Sequence, residues 1–343
     1  MTVSHHHGIH IAGAPFALDA TRSADCCVVS HAHSDHVARH RCMVTTPATA
    51  ALIRQRMGPP RGEVIALPYG QPWERHGWRV TLTPAGHVLG SAMIHVTSPD
   101  GHTLLYTGDF KLRPGLSCEP ARPLPASTLI MESTFGLPRY VFPDESDIRS
   151  QIHTWCRTVL DRGAVPVLMG YSIGKAQEIQ ALLGGAFRIA VHPAIAEMNY
   201  RYADFGYPLP PWEKAGPDLT GCVLVIPPQA GKAPAIAAIP HKSLAMVSGW
   251  GLDPSARFRY GVEAVFPLSD HADFPGLLRL VEEVQPQRIL TTHGWHTAFA
   301  ATLRTRGHDA WSLHGGDQLE LFREHHFSAP DTDSLRPPPP PAN

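Results

Sequence analysis

The chain has 343 residues, 43% of them hydrophobic and 17% charged, with a formal net charge of −1. That is apolar material for a full core in one large domain or two medium ones. A near-neutral balance excludes a basic-tail polyanion binder, so any polyanion would have to be held by a local patch or by metal ions.

In chain order, several short apolar runs each end in a sudden polar or glycine-containing turn. "DCCVVS" (25–30) runs into His31, "WRVTLTPAGH" (78–87) ends at His87, and "HTLLYTGD" (102–109) ends at Asp109. "STLIMES" (127–133) carries Glu132, "AVPVLMGYS" (164–172) runs into "IGKAQEIQALL", and "QRILTTHG" (287–294) carries His293. Runs of this length and composition predict buried strands, and ligands collect where loops converge beyond strand ends. "GKAQEIQALL" and the amphipathic "FPGLLRLVEEVQP", halted by Pro286, predict helices. Strands alternating with helices predict an α/β protein.

Six cysteines show no CxxC pair or framework spacing, which predicts reduced thiols and a cytoplasmic setting. Neither a signal peptide nor a membrane-spanning run is expected. The histidine runs His5–His7 and His325–His326 are expected to be functionally silent. The segment 328–343, "SAPDTDSLRPPPPPAN", predicts a disordered proline-rich tail.

The most concentrated chemistry is "VVSHAHSDHVARH" (28–40), which sets His31, His33, Asp35 and His36 in an HxHxDH pattern. In extended backbone His31 and His33 project from one side, while the adjacent Asp35 and His36 must diverge. That spacing suits two ions side by side, and such centres, with ions roughly 3.5–4 Å apart, need a bridging ligand. His87 (between Gly86 and Gly90), Asp109 and His293 lie at other strand ends and can complete them. Imidazole with carboxylate suits zinc, manganese or iron.

With these motifs in order, the sequence resembles the metallo-β-lactamase superfamily and its β-CASP nuclease branch. Asp19 in "FALDAT", the HxHxDH cluster, His87, Asp109 and His293 match the metal-fold motifs. Glu132 in "MESTFG", His271 in "LSDHADF" and His293 match the β-CASP signatures. The match covers nearly all of residues 10–320. It implies an αββα sandwich interrupted by an α/β insert. The lactamase domain would occupy 1–132 and 261–327, the insert 133–260.

The resemblance also implies roles. His31, His33 and His87 would hold one divalent ion; Asp35, His36 and His293 would hold the other, with Asp109 bridging. Zinc is the favoured metal and manganese the alternative. Asp19 would orient the HxHxDH loop, unless it is an ordinary loop aspartate. His271 would act as general acid, its tautomer held by Glu132; catalysis would rest on these two with Asp109 and Asp35. Asp270 and Asp273 would assist, or Asp273 would cap the next helix. In "GYSIGKAQ", Ser172, Gly174 and Lys175 sit at a strand-to-helix turn that predicts a phosphate cradle, or a plain turn with a solvated lysine. Arg139, Tyr171 and Arg201 are weaker candidates for phosphate contact.

The resulting expectation is a nuclease using metal-activated water, most of all a DNA exonuclease of repair. "ESTFGLP", "YSIGKAQ" and "LSDHADFPGLL" resemble compact bacterial ligase-associated exonucleases, which would bring a DNA ligase and a helicase as partners. His293, where eukaryotic DNA-repair members have valine, points instead to an RNA 3′-end processing enzyme. A small-molecule metallohydrolase would need neither Glu132, His271 nor the insert, and a catalytically dead scaffold would have lost ligands.

Overall fold

The structure, a computed structural model, describes residues 1–314. The expected proline-rich tail at 328–343 and the pair His325–His326 lie outside the described residues.

Three six- or seven-stranded sheets organise the chain. The first runs through strands Val3–His5, Ile9–Ile11, Ala17–Leu18, Cys27–Val28, Cys42–Thr45 and Glu63–Ala66 in that spatial order, antiparallel at its start and parallel thereafter. The second has the order Ala310–Ser312, Arg288–Thr292, Thr128–Glu132, Thr103–Tyr106, Ala92–Thr97, Trp78–Pro84, Pro72–Arg75.

Period-2 alternation decides how these two stack. Leu104, Tyr106, Ile130, Ala92, Ile94 and Val96 face inward to meet Leu18, Val28 and Val44 of the first sheet. Their neighbours Leu105, Leu129, Met131 and Met93 face outward, under helices Phe274–Val284 and His296–Thr305. On the far side, Cys27, Val29 and Met43 are covered by helix Pro47–Met57 through Leu52 and Ile53. The layers are therefore helix, sheet, sheet, helix, the sandwich implied by the resemblance.

The third sheet forms a second lobe. Its strands run Trp212–Lys214, Arg188–Val191, Cys222–Ile226, Val165–Met169, Lys242–Val247, Ala264–Phe266, and every neighbouring pair is parallel. Continuous apolar strands such as "VPVLM" and "CVLVI" are what a parallel sheet covered on both faces requires. One face packs under helices Glu145–Asp161, Lys175–Leu183 and Pro193–Asp204, the other under the segment containing Ala230, Ile236 and Val262. The strand Ala264–Phe266 belongs to this sheet, so the lobe reaches six residues past the boundary expected at 260.

Two apolar patches join the lobes. Val88 and Leu89 of the first lobe pack with Ile173, Met198 and Tyr202 of the second. Phe135, Tyr140, Trp250 and Trp295 form an aromatic cluster across the other side. Gly174 sits at the first patch with φ +86°, and a Cβ there would lie 2.3 Å from Val88 Cγ1. Gly174→Ala should therefore lower stability by ~2 kcal/mol through overpacking. Urea unfolding followed by circular dichroism would show it, and an unchanged midpoint would mean the lobes do not rest on this contact.

Candidate metal centre

The HxHxDH segment leaves strand Cys27–Val28 as irregular backbone and then makes a single 3-10 turn, Ser34–His36. That turn breaks the extended run, letting His36 swing back beside His31, their ring centroids 4.2 Å apart. His87 follows strand Trp78–Pro84, and Gly86 before it has φ +77° where a Cβ would meet the Lys111 carbonyl at 2.2 Å. Only glycine allows that approach. Asp109 follows strand Thr103–Tyr106. His293 follows strand Arg288–Thr292 with φ +56°, a conformation non-glycine residues adopt rarely.

These loops converge on Asp109. Its Oδ2 lies 3.5 Å from His31 Nε2, 3.5 Å from His36 Nε2 and 3.7 Å from His87 Nε2. The ligand atoms of His31, His33, His87 and Asp109 all fall within 4.8 Å of one another, as do those of His36, Asp109 and His293. Asp109 is common to both groups.

The far side of each ring determines which nitrogen can serve. His87 Nδ1 faces the Asp270 carbonyl at 2.9 Å and His33 Nε2 faces the Ile173 carbonyl at 3.2 Å. A carbonyl only accepts, so these nitrogens donate, leaving lone pairs on His87 Nε2 and His33 Nδ1. Those two atoms face each other at 3.0 Å. His36 Nδ1 donates to Asp19 Oδ2 at 2.7 Å, which turns its Nε2 inward. Ser30 Oγ donates to Asp19 Oδ2 and so receives His31 Nδ1–H, turning His31 Nε2 inward as well.

The inward nitrogens of His31 and His36 are buried without hydrogen-bond partners. Buried orphan acceptors and opposed lone pairs around a carboxylate are costly alone and satisfied by cations. The residues present therefore fit divalent ions.

Electrostatics agree. Burial, with neighbouring histidines, pushes His31 well below its usual pKa, His33 down to about 4, and His87 down, so these rings are neutral as metal ligation requires. His36 differs: burial would lower it too, but Asp109 and Asp19 outweigh it and hold its pKa well above the usual value, so an ion bound at its Nε2 would displace a proton.

Asp19 holds the loop: its carboxylate accepts from Ser30 N–H (2.7 Å), Ser30 Oγ, His36 Nδ1 and the Tyr106 hydroxyl (2.9 Å), and its own φ is +44°. Orienting partners of this kind are part of a metal site. Asp35 stands apart from both ligand groups, its side chain 41% exposed and Oδ2 3.7 Å from His36 Nε2.

His271 approaches from the remaining side, Nε2 4.0 Å from Asp109 Oδ2. Its Nδ1 donates at 2.8 Å to Glu132 Oε1, a fully buried carboxylate that also accepts from Phe110 N–H and Thr134 N–H. Burial alone would lower the pKa of His271, but Glu132, Asp109 and Asp270 raise it to about 10. A pKa raised this far keeps the ring protonated near neutral pH. Asp273 caps helix Phe274–Val284, accepting from Gly276 N–H at 2.9 Å.

A cleft opens over the centre. His33, Asp35, His293 and Gly294 line it from the first lobe, and Tyr171, Ser248, Gly249 and Trp250 from the second.

The turn expected to cradle phosphate is used otherwise. Lys175 is 1% exposed, its Nζ 3.4 Å from Asp270 Oδ1 and 3.6 Å from Glu178 Oε2. Gly174 packs on Val88, and the Ser172 carbonyl accepts from Gln177 Nε2. A phosphate would have to displace these carboxylates, so the helix start is neither a cradle nor the site of a solvated lysine. Arg201 pairs with Asp204 and Arg139 stacks over Tyr140 and Trp295, whereas Tyr171 lines the cleft. The anchoring carbonyls of Ile173 and Asp270 were invisible in the sequence, because a carbonyl carries no residue signature, and Ser30 was missed although it stands next to His31.

Comparison with known proteins places these features. Residues 256–313 match the family model described as a Zn-dependent metallo-hydrolase RNA specificity domain. The chain is 43% identical over 318 residues to a probable DNA ligase of Opitutus terrae, covering 92% of this chain and 31% of that protein. It is 24% identical over 328 residues to DNA cross-link repair protein SNM1 of Arabidopsis thaliana (82% and 64%). It is 35% identical over 131 residues to transcription termination factor FttA of Methanothermobacter thermautotrophicus (37% and 21%). The chain thus spans less than two thirds of each of these relatives. A crystal structure of a protein of unknown function from Enterococcus faecalis V583 shares the fold, with TM-score 0.54 and 14% identity over 78% of this chain and 75% of that one.

Because Asp109 belongs to both ligand groups, Asp109→Ala should lose metal and turnover together. Elemental analysis after dialysis would test it; full metal loading in the variant would remove the bridging role.

Proposed function

The chain belongs to the β-CASP branch of the metallo-β-lactamase superfamily, and we propose that it is a metal-dependent nuclease, most specifically a DNA exonuclease acting in repair. The observation that carries the reading is the third side of Asp109. A histidine held by a buried glutamate stands there, 4.0 Å from the shared carboxylate and at the wall of the cleft.

Phosphodiester hydrolysis needs an attacking hydroxide, relief of charge on the phosphate and a proton for the departing oxygen. Two divalent ions, zinc in preference to manganese, would be held by His31, His33 and His87 and by His36 and His293, with Asp109 between them; bound there, they supply a water of lowered pKa and neutralise phosphate charge. Asp35, beside His36 on the cleft wall, would complete the second site. Asp19 keeps His36 and, through Ser30, His31 in their ligating tautomers. Glu132 keeps His271 protonated and aimed, so that Nε2–H can pass to the leaving oxygen. The second lobe closes the cleft with Tyr171 and Trp250, aromatic faces suited to bases of a single strand.

DNA is favoured over RNA by the names of the two relatives that cover most of the chain, a probable DNA ligase and a DNA cross-link repair protein. The first of these also supports work beside a DNA ligase. A second reading, RNA processing, draws on the family model named for RNA specificity, on the termination-factor match and on His293. Among the described residues no helix is long and apolar enough to cross a membrane. All six cysteines are buried free thiols, in keeping with a reducing, cytoplasmic setting.

Purified protein supplied with zinc or manganese should degrade single-stranded DNA stepwise from one end and spare matched RNA. Substrates labelled at the 5′ or the 3′ end would give the polarity, and internal cutting of RNA with DNA spared would transfer the chain to RNA processing. His271→Ala should retain both metals and lose ~100- to 10,000-fold in kcat. Metal analysis alongside turnover would show this; unaltered kcat would remove the general-acid role.

A further inference from the structure

Four charged side chains meet in the interior where the lobes join, and of these only Asp270 has entered the chemistry above, through its charge beside His271. Lys111 lies two residues beyond Asp109 in the first lobe. Lys175 and Glu178 occupy the first turn of helix Lys175–Leu183 in the second, and Asp270 precedes His271 on the returning chain. None is more than 7% exposed. Lys111 Nζ donates to Glu178 Oε1 at 2.8 Å, while Lys175 Nζ stands between Asp270 Oδ1 (3.4 Å) and Glu178 Oε2 (3.6 Å). Two positive and two negative groups balance. A charge buried this deeply is tolerated only beside its partners, so each member constrains the others.

Asp270 carries that constraint to the metal centre. Its carbonyl takes the Nδ1–H of His87 at 2.9 Å, which aims His87 Nε2 at Asp109. The next residue is His271, whose backbone position sets where its ring meets Glu132. One residue thereby supports both a metal ligand and the proton donor, and its own side chain is held from the other lobe.

We propose that Lys175 is a positioning residue: reaching from the second lobe, its ammonium fixes Asp270, and through Asp270 the His87 ring and His271. The part of this that concerns turnover rests on the nuclease reading; the part that concerns metal does not. A lysine that contacted substrate phosphate would present its ammonium to the cleft, whereas this one is enclosed by carboxylates.

The test compares Lys175→Met with Lys175→Met/Asp270→Asn, which removes the charge that the single change strands and leaves the Lys111–Glu178 pair intact. Zinc affinity is measured by chelator competition, and kcat and KM on single-stranded DNA over a salt series. For Lys175→Met, zinc affinity and kcat should each fall ~10- to 100-fold, the range for partners that orient metal ligands, with KM and its salt slope unchanged. The double variant balances the charge but leaves residue 270 unheld, so both losses should persist in it. A raised KM with a shallower salt slope and unchanged kcat would make Lys175 a substrate contact and overturn the proposal. So would a double variant that recovers wild-type zinc affinity and kcat, which would trace the single loss to the stranded charge alone, or a single variant with unaltered zinc affinity. Should Lys175→Met fail to fold, the folded double variant decides by the same two readouts. Wild-type protein that binds zinc but cuts no nucleic acid would overturn the nuclease reading, leaving the zinc measurement to judge Lys175.

Discussion

A single buried carboxylate governs this molecule. Asp109 Oδ2 has four imidazole nitrogens between 3.5 and 4.0 Å away, from His31, His36, His87 and His271. All four rings reach it after being turned by a hydrogen bond on their other side, to Ser30, Asp19, the Asp270 carbonyl and Glu132. Removing such a group from water is unfavourable by several kcal/mol unless positive charge compensates it. The concentric arrangement therefore implies cations at the centre, and the packing of the first lobe exists around that requirement.

The sandwich meets it by separating stability from chemistry. Inward-facing Leu104, Tyr106, Ile130 and Ile94 and outward-facing Leu105, Leu129 and Met131 hold the sheets. Glu132 ends its strand, and the turns beyond the other strands carry His87, Asp109 and His293. Tyr106 belongs to both systems: its ring packs in the inter-sheet core while its hydroxyl ends on Asp19. Backbone strain is present here too, Asp19 and His293 being two of the five non-glycine residues at positive φ among the described residues. Strain of ~1–3 kcal/mol per residue persists only where surrounding contacts enforce it.

How much of this the sequence revealed depended on the kind of interaction. Residue types at fixed spacing were legible, so His31, His33, His36, His87, Asp109 and His293 could be singled out as converging ligands. Short apolar runs located the strands, though the run 25–30 yields only Cys27–Val28 as strand. What spacing could not reveal was direction. Asp35 sits inside the HxHxDH motif yet lies at the cleft wall, its side chain 41% exposed where the other members are turned inward, although its Oδ2 stays 3.7 Å from His36 Nε2. Lys175 follows a glycine at a helix start, the usual address of a phosphate, but faces inward because Asp270, 95 positions later, lies beneath it. Long-range partners and carbonyl acceptors become visible only once the chain is folded.

The bond from His33 Nε2 to the Ile173 carbonyl spans the two lobes, tying a ligand of the first to the strand-to-helix turn of the second. Any spreading of the lobes would pull on that ring, so the separation of the lobes and the aim of His33 share one free-energy cycle. By reciprocity, whatever the ions gain from a correctly aimed His33 they return as resistance to opening. Metal content would then act as a mechanical variable of the cleft, with bound ions making the join between the lobes stiffer.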